Sequence, residues 1–235
     1  MSSSADLYCV MGNPVAHSRS PAIHARFAEL TGEHLVYERC LLPIDGFAQG
    51  VRDFIARGGR GCNVTVPFKI EAAALATHRS GRVPLAGAAN TLVFGPDGIH
   101  ADNTDGLGLV ADITRNAGLA LAGRDVLLVG AGGAAAGVLG PLLQAGVRHI
   151  TVANRTLARA QALVQAHAGL ASLQKAELLA LTPQALEANF DLIINATASS
   201  LAGDAVPVPA HVLRPGSMAY DMMYGPAAQG FLDWA

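Results

Sequence analysis

The sequence predicts a two-domain α/β protein, and three observations carry that prediction. Short apolar strands alternate with helical stretches along all 235 residues, the pattern of a largely parallel sheet. One strand, Val126 to Val129, runs directly into a glycine-rich turn and then a helix of small residues. The chain also changes character near Asp105, where a linking helix precedes a fresh strand–helix series.

In order, Leu7 to Met11 reads as a first strand. Ser20-Pro21 supplies a helix cap and a first-turn proline, with Ile23, Phe27 and Leu30 following at helical spacing. Leu35 to Leu41 is a second strand, and Phe47, Val51, Phe54 and Ile55 mark a second amphipathic helix. Gly61 to Val66 reads as a third strand, and Asn90 to Phe94 and Ile99 to Ala101 flank a Pro96-Asp97-Gly98 turn. Leu107, Val110 and Ile113 suggest the linking helix. Strands are then expected at Asp125 to Val129, Ile150 to Ala153, Asp191 to Asn195 and Met218 to Asp221. The division is placed at 1–105 and 106–235, with the boundary near residues 102–108.

Composition bounds the function. Apolar residues make up 51% and charged residues 14%, so a sizeable core is within reach. A net charge of −2 with no Lys/Arg cluster argues against nucleic acid or anionic lipid as partner. The N-terminus lacks the basic start and apolar run of a secretory signal, and no run of about 20 apolar residues could span a bilayer. Cys9, Cys40 and Cys62 lie outside any CxxC pair and read as reduced, which leads to the expectation of a cytoplasmic protein. His17 and His24 have no ligand cluster near them and the other histidines are scattered, so no metal site is expected.

Gly130-Ala131-Gly132-Gly133-Ala134-Ala135 is a GxGxxA turn in strand–loop–helix context, which points to a Rossmann-like nucleotide site. Glycines let the backbone turn tightly and approach a pyrophosphate, and the helix start holds the anion. The next strand ends in Asn154-Arg155-Thr156, with Arg159 one turn on. An acidic residue there would accept from a ribose 2′-hydroxyl. Asn with two arginines instead suits a 2′-phosphate, hence NADP, although a solvated helix face has the same spacing. The run Ala196-Thr197-Ala198-Ser199-Ser200 supplies small residues for a wall beside a cofactor.

Four polar segments of the first lobe fall where strands end: Ser18-Arg19-Ser20, Asn63 to Lys69, Asn90-Thr91 and Asp102-Asn103-Thr104-Asp105. Singly, each has an ordinary structural reading as a cap, a turn or a surface residue. Together their hydroxyls, amides, lysine and carboxylate form the donor and acceptor set that a polyhydroxy acid requires.

Gly12-Asn13-Pro14-Val15-Ala16-His17-Ser18-Arg19-Ser20-Pro21 resembles the entry motif of the shikimate dehydrogenase family. Asn63-Val64-Thr65-Val66-Pro67-Phe68-Lys69, its most diagnostic string, and then Ala89-Asn90-Thr91, Asp102 to Gly106, Gly130 to Ala134, Asn154 to Thr156 and Tyr220-Asp221-Met222 follow in the family's order. The resemblance implies reversible NADPH-dependent reduction of 3-dehydroshikimate to shikimate in chorismate and aromatic amino-acid biosynthesis. It implies that Lys69 and Asp105 are catalytic, Lys69 as proton donor and Asp105 as partner of a substrate hydroxyl that also orients Lys69. Ser18 and Ser20 would bind the substrate carboxylate, Thr65 and Asn90 the ring hydroxyls, and Tyr224 would lie near the substrate. Gly130, Ala131, Gly132, Gly133, Ala134, Asn154, Arg155, Thr156, Arg159, Thr197 and Met222 would line the cofactor. The family continues into a Gly-Leu-rich segment and closing helices, carrying a glutamine for substrate and a glycine for cofactor, that these 235 residues do not contain. Some apolar surface of the first lobe is therefore expected to be uncovered, and a homodimer is left open. An NAD-preferring quinate/shikimate dehydrogenase and a non-catalytic ligand sensor are the rival readings. Arg155 argues against the first, and retention of Lys69 with Asp105 against the second.

Overall fold

The computed structural model describes residues 5–197 and 208–235. They fall into two compact units, Met1–Thr104 and Asp105–Ala235.

The first unit is built on a six-stranded mixed sheet. In chain order its elements are β1 (Asp6–Gly12), α1 (Ser20–Thr31), β2 (Leu35–Leu41), α2 (Phe47–Ala56), β3 (Gly59–Val64), α3 (Lys69–Leu75), β4 (His78–Arg79), α4 (Arg82–Ala86), β5 (Thr91–Gly95) and β6 (Gly98–Asp102). The strand order is β2-β1-β3-β5-β6-β4. β1 pairs in parallel with β2 and β3, whereas β5 runs antiparallel to both β3 and β6. This reversal carries the start of β5 to the same rim as the ends of β1, β3 and β6. Phe47, Phe54, Phe68, Met11 and Leu92 fill the core, with Phe47 and Phe68 stacked at 5.1 Å.

Two local expectations need correction. Ser20 is the first helical residue rather than the cap, because Arg19 already has helical backbone angles (φ −90°, ψ −2°) and no side chain caps α1. The third strand ends at Val64, two residues early, as residues 65–67 turn into α3. α1 buries no residue, and its stripe of Ile23, Phe27 and Leu30 is exposed at 48%, 54% and 66%.

The second unit opens with α5 (Asp105–Ala111), which runs into a π-helical turn at Asp112–Asn116. There follow β7 (Asp125–Val129), α6 (Gly133–Gln144), β8 (His149–Ala153), α7 (Leu157–Gln174), β9 (Glu177–Leu181), β10 (Phe190–Asn195), β11 (Leu213–Asp221) and α8 (Gln229–Trp234). Every strand pairing is parallel, in the order β11-β10-β7-β8-β9. Counted from β7 this is 3-2-1-4-5, the doubly wound arrangement whose crevice opens between the first and fourth strands, here β7 and β10. β7, β8 and β10 are buried on both faces, which is why they read as continuous apolar runs. α6 buries Ala135 through Leu143, and small side chains at Ala135, Ala136 and Gly137 let it lie close to the sheet. No helix among the described residues is long and apolar enough to cross a membrane.

Candidate active site

In the first unit the polar residues gather on the rim made by the ends of β1, β3 and β6. Asn63 on β3, Thr91 on β5 and Asp102 on β6 sit side by side in register. Asn63 Nδ2 reaches Thr91 Oγ1 at 3.3 Å, and Tyr37 donates its hydroxyl to Asn63 Oδ1 at 2.6 Å. Burial pushes the Tyr37 phenol well above its ordinary range, so it acts as a donor, and His24 stacks on its ring at 4.1 Å. Asn90 is the hub. Its Nδ2 donates to Thr104 Oγ1 at 3.0 Å, while its Oδ1 accepts from Thr104 N at 3.0 Å and from Thr91 Oγ1 at 2.9 Å.

Asp102 is a structural carboxylate. Burial alone would raise its pKa. Hydrogen bonds from Arg82, from Ser80 (2.6 Å) and from Asn103 N (2.7 Å) overcome this and hold the group below the ordinary carboxylate range. Lys69 opens α3, half-buried, and its carbonyl accepts Ala89 N–H at 2.8 Å, which ties the lysine turn to the Asn90 segment. Thr65 is half-buried one turn earlier, with its N–H on Met11 O at 2.9 Å.

The two serines are also together. Ser18, 7% exposed, donates from Oγ to Ser20 Oγ at 3.1 Å. Arg39 on β2 forks onto the Ser18 carbonyl with Nε at 2.9 Å and Nη2 at 2.6 Å, holding the loop in place. A cavity of about 400 Å³ lies over the same sheet, lined by Tyr8, His24, Tyr37, Asn63, Thr91 and Val93 among others. It shares Asn63 and Thr91 with the rim but is not lined by Ser18, Ser20 or Lys69.

In the second unit the glycine turn sits at the end of β7, at the crevice. Gly130 has φ +111°, and its N–H donates to Ala153 O at 2.8 Å. Gly132 precedes α6, and a Cβ built there would meet nothing within 4 Å. Ala131, Gly133 and Ala134 are half-buried around it. Asn154 follows the end of β8, with Nδ2 donating to Thr156 O at 2.8 Å, which shapes the entry to α7. Arg155 and Arg159 are exposed and have no acid partner among the described residues. At the end of β10, Asn195 (1% exposed) takes Thr197 N and Oγ1 on its Oδ1 at 3.1 and 2.8 Å and donates to Asp221 Oδ2 at 3.1 Å. Met222 N reaches the Asn195 carbonyl at 3.0 Å. Asp105 is the first residue of α5, and Tyr224 is exposed beyond β11. Of the small-residue run after β10, residues 198–200 lie outside those described.

Known proteins match this chain along its length. Residues 10–92 match the shikimate dehydrogenase substrate-binding domain, and residues 112–202 match the shikimate/quinate 5-dehydrogenase family. A protein of Verminephrobacter eiseniae named shikimate dehydrogenase (NADP(+)) is 77% identical over all of this chain and 82% of its own length. The chain belongs to the shikimate dehydrogenase family. Among solved structures, an Ael1 enzyme from Pseudomonas putida has a TM-score of 0.83 at 41% identity, covering 98% of this chain and 83% of that one. Quinate dehydrogenase from Corynebacterium glutamicum, in complex with NAD, has a TM-score of 0.81 at 26% identity, covering 99% and 85%.

For this family member the sequence reading omitted the residues that hold others in place. Arg39, Tyr37 and Asn195 act on partners 21, 26 and 26 positions away, so no local motif reveals them. Two of the scattered histidines also come together in space. His78 and His100 pair across β4 and β6, beside Asp97.

Proposed function

We propose that this chain catalyses the reversible NADPH-dependent reduction of 3-dehydroshikimate to shikimate, a step of chorismate and aromatic amino-acid biosynthesis. The observation that carries the reading is the Asn90-centred network. It fixes amides, hydroxyls and the Lys69 turn on one rim of a rigid sheet, as directional recognition of a hydroxylated ring acid requires.

The cofactor fits the second unit. The open space at Gly132 leaves room for a pyrophosphate against the backbone, and α6, at 12 residues, offers unpaired N–H groups and its positive dipole end there. Arg155 and Arg159 would take the 2′-phosphate as planar forks, and Asn154 stands where an NAD enzyme carries an acid. Gly130, Ala131, Gly133, Ala134, Thr156, Thr197 and Met222 complete this lining. NADPH, when bound, supplies the hydride.

Ser18 and Ser20 hold the substrate carboxylate, and Thr65 and Asn90 hold ring hydroxyls. Lys69 gives its Nζ proton to the developing alkoxide and takes it back in the oxidative direction. Asp105 accepts a hydrogen bond from a ring hydroxyl, and Tyr224 borders the substrate. We place the domain boundary at 1–105 and 106–235, one residue past the division between the compact units, with the substrate residues other than Tyr224 before it and the cofactor residues after it. Three free cysteines accord with a cytoplasmic setting, and the partner we assign is a small-molecule substrate, with the homodimer left open for a solution-mass measurement.

The test follows NADPH absorbance on addition of 3-dehydroshikimate. Lys69→Ala is expected to lower kcat by about 10²- to 10⁴-fold with the thermal midpoint kept. Near-normal turnover in that variant would overturn the assignment.

A further inference from the structure

At the edge of the first unit's sheet, away from the rim, stand two imidazoles and a carboxylate. His78 on β4 and His100 on β6 are direct register partners, and their rings stack at 4.5 Å with 20° between planes. Asp97, in the β5–β6 turn, places Oδ1 at 2.9 Å and Oδ2 at 3.0 Å from His100 Nε2, with Oδ2 3.6 Å from His78 Nε2. One ligand atom from each of the three lies within 4.8 Å of the other two.

We infer that His78, Asp97 and His100 form a binding site for a divalent transition cation of the zinc type. Metal–ligand bonds of about 2.0–2.2 Å in tetrahedral array set ligand atoms about 3.3–3.6 Å apart, a spacing these atoms bracket. Two imidazoles with one carboxylate select zinc, nickel, cobalt or copper over magnesium and calcium, which prefer an all-oxygen shell. The side chains remain 44–58% exposed, so water completes the coordination.

The backbone holds the ligands in place before any ion arrives. Thr77 N and Ser80 N donate to Ile99 O and Ala101 O at 3.0 Å each, and Ile99 N donates to Thr77 Oγ1 at 2.7 Å. These bonds clamp the two-residue strand β4 to β6 on either side of His78. Gly95 adds a second constraint. A Cβ there would stand 2.7 Å from Asp97 Oδ1 and 3.5 Å from His100 Nε2, so the glycine clears the space these two ligand atoms occupy. None of the three ligand residues belongs to the rim, which the site meets only through Ser80, whose hydroxyl donates to Asp102 at 2.6 Å. An ion here would rivet the outermost strand to the hairpin.

The test is titration of the protein with Zn²⁺ near neutral pH against a chromophoric chelator, with Mg²⁺ as control. The parent chain is expected to take up one equivalent, with no response to Mg²⁺. His78→Ala and His100→Ala should each weaken it by at least about tenfold, the least that loss of even an outer-shell partner usually brings, and Asp97→Asn by a smaller factor. Zn²⁺ should also raise the thermal midpoint of the parent and not that of the His78→Ala/His100→Ala double variant. Equal Zn²⁺ affinity in the parent and both histidine variants, or a midpoint shift that survives the double variant, would overturn the inference.

Discussion

Two alanine substitutions in the same turn are expected to do opposite things. At Gly130 the backbone has φ +111°, where an L-residue pays about 1–3 kcal/mol of strain. A Cβ there would also lie 3.1 Å from Ala196 O and 3.2 Å from Ala196 C and Thr197 Cγ2. The Ala196–Thr197 peptide cannot retreat easily, because its N–H, that of Thr197, donates to Asn195 Oδ1 at 3.1 Å and the preceding Ala196 N–H donates to Val129 O at 2.8 Å at the end of the central strand. Overpacking of this kind adds about 1–3 kcal/mol, so Gly130→Ala should destabilise by about 2–6 kcal/mol, a large share of an ordinary domain's stability. Gly132 has φ −96° and open space at its Cβ position, so Gly132→Ala should change stability by less than about 1 kcal/mol. It should nonetheless raise the KM for NADPH, because the added methyl occupies the pyrophosphate approach. Urea unfolding followed through Trp234, the single tryptophan, packed 5.3 Å from Phe231 in the second unit's core, reads the first quantity, and initial rates read the second. A Gly130→Ala midpoint equal to the parent's, or an unchanged NADPH KM in Gly132→Ala, would refute the reasoning.

Arg39→Ala removes both hydrogen bonds on the Ser18 carbonyl. Because this arginine is exposed, the loss is about 1 kcal/mol, seen as a roughly fivefold rise in KM for 3-dehydroshikimate with kcat little changed. An unmoved KM counts against its positioning role. Arg155→Ala should raise the KM for NADPH by about tenfold or more and leave that for NADH alone, and equal effects on both would remove Arg155 from the 2′-phosphate site. His167 is fully buried on α7, with Nδ1 on Leu163 O at 2.9 Å and, among the described residues, no partner for Nε2. Burial lowers its pKa from about 6.5, so the unfolded chain takes up the proton first. The stability this neutral ring allows is present above about pH 6.5 and is lost as pH falls from there through the folded value. His167→Leu should flatten stability between pH 7 and 5 in urea titrations, and a slope as steep as the parent's would contradict this.

The second unit was legible only in part, since β9 was not anticipated and β11 begins at Leu213, five residues before the expected Met218. Its inner strands are buried on both faces, so β7 reads at its full bounds and β8 and β10 to within one residue. In the first unit, α3 and α4 are only 7 and 5 residues long and β4 has two, too short to show any periodicity. The α1 pattern is helical, as the spacing of Ile23, Phe27 and Leu30 predicts, yet that spacing says nothing about what the stripe faces. The site divides the same way. Motif residues such as Asn63, Lys69 and Gly130 are visible because they cluster in the chain. Arg39 on Ser18, Tyr37 on Asn63 and Asn195 on Asp221 arise only from strand register and tertiary approach.

The reversed strand β5 has a consequence for how this protein can vary. Asn63, Thr91 and Asp102 lie abreast on three neighbouring strands, two of them joined by the tight Pro96-Asp97-Gly98 connection. A single-residue insertion or deletion in that hairpin would slide Thr91 past both neighbours and turn its hydroxyl to the opposite face. Substrate recognition and strand alignment would then fail in the same event, so length changes should be tolerated in surface loops elsewhere long before they are tolerated here.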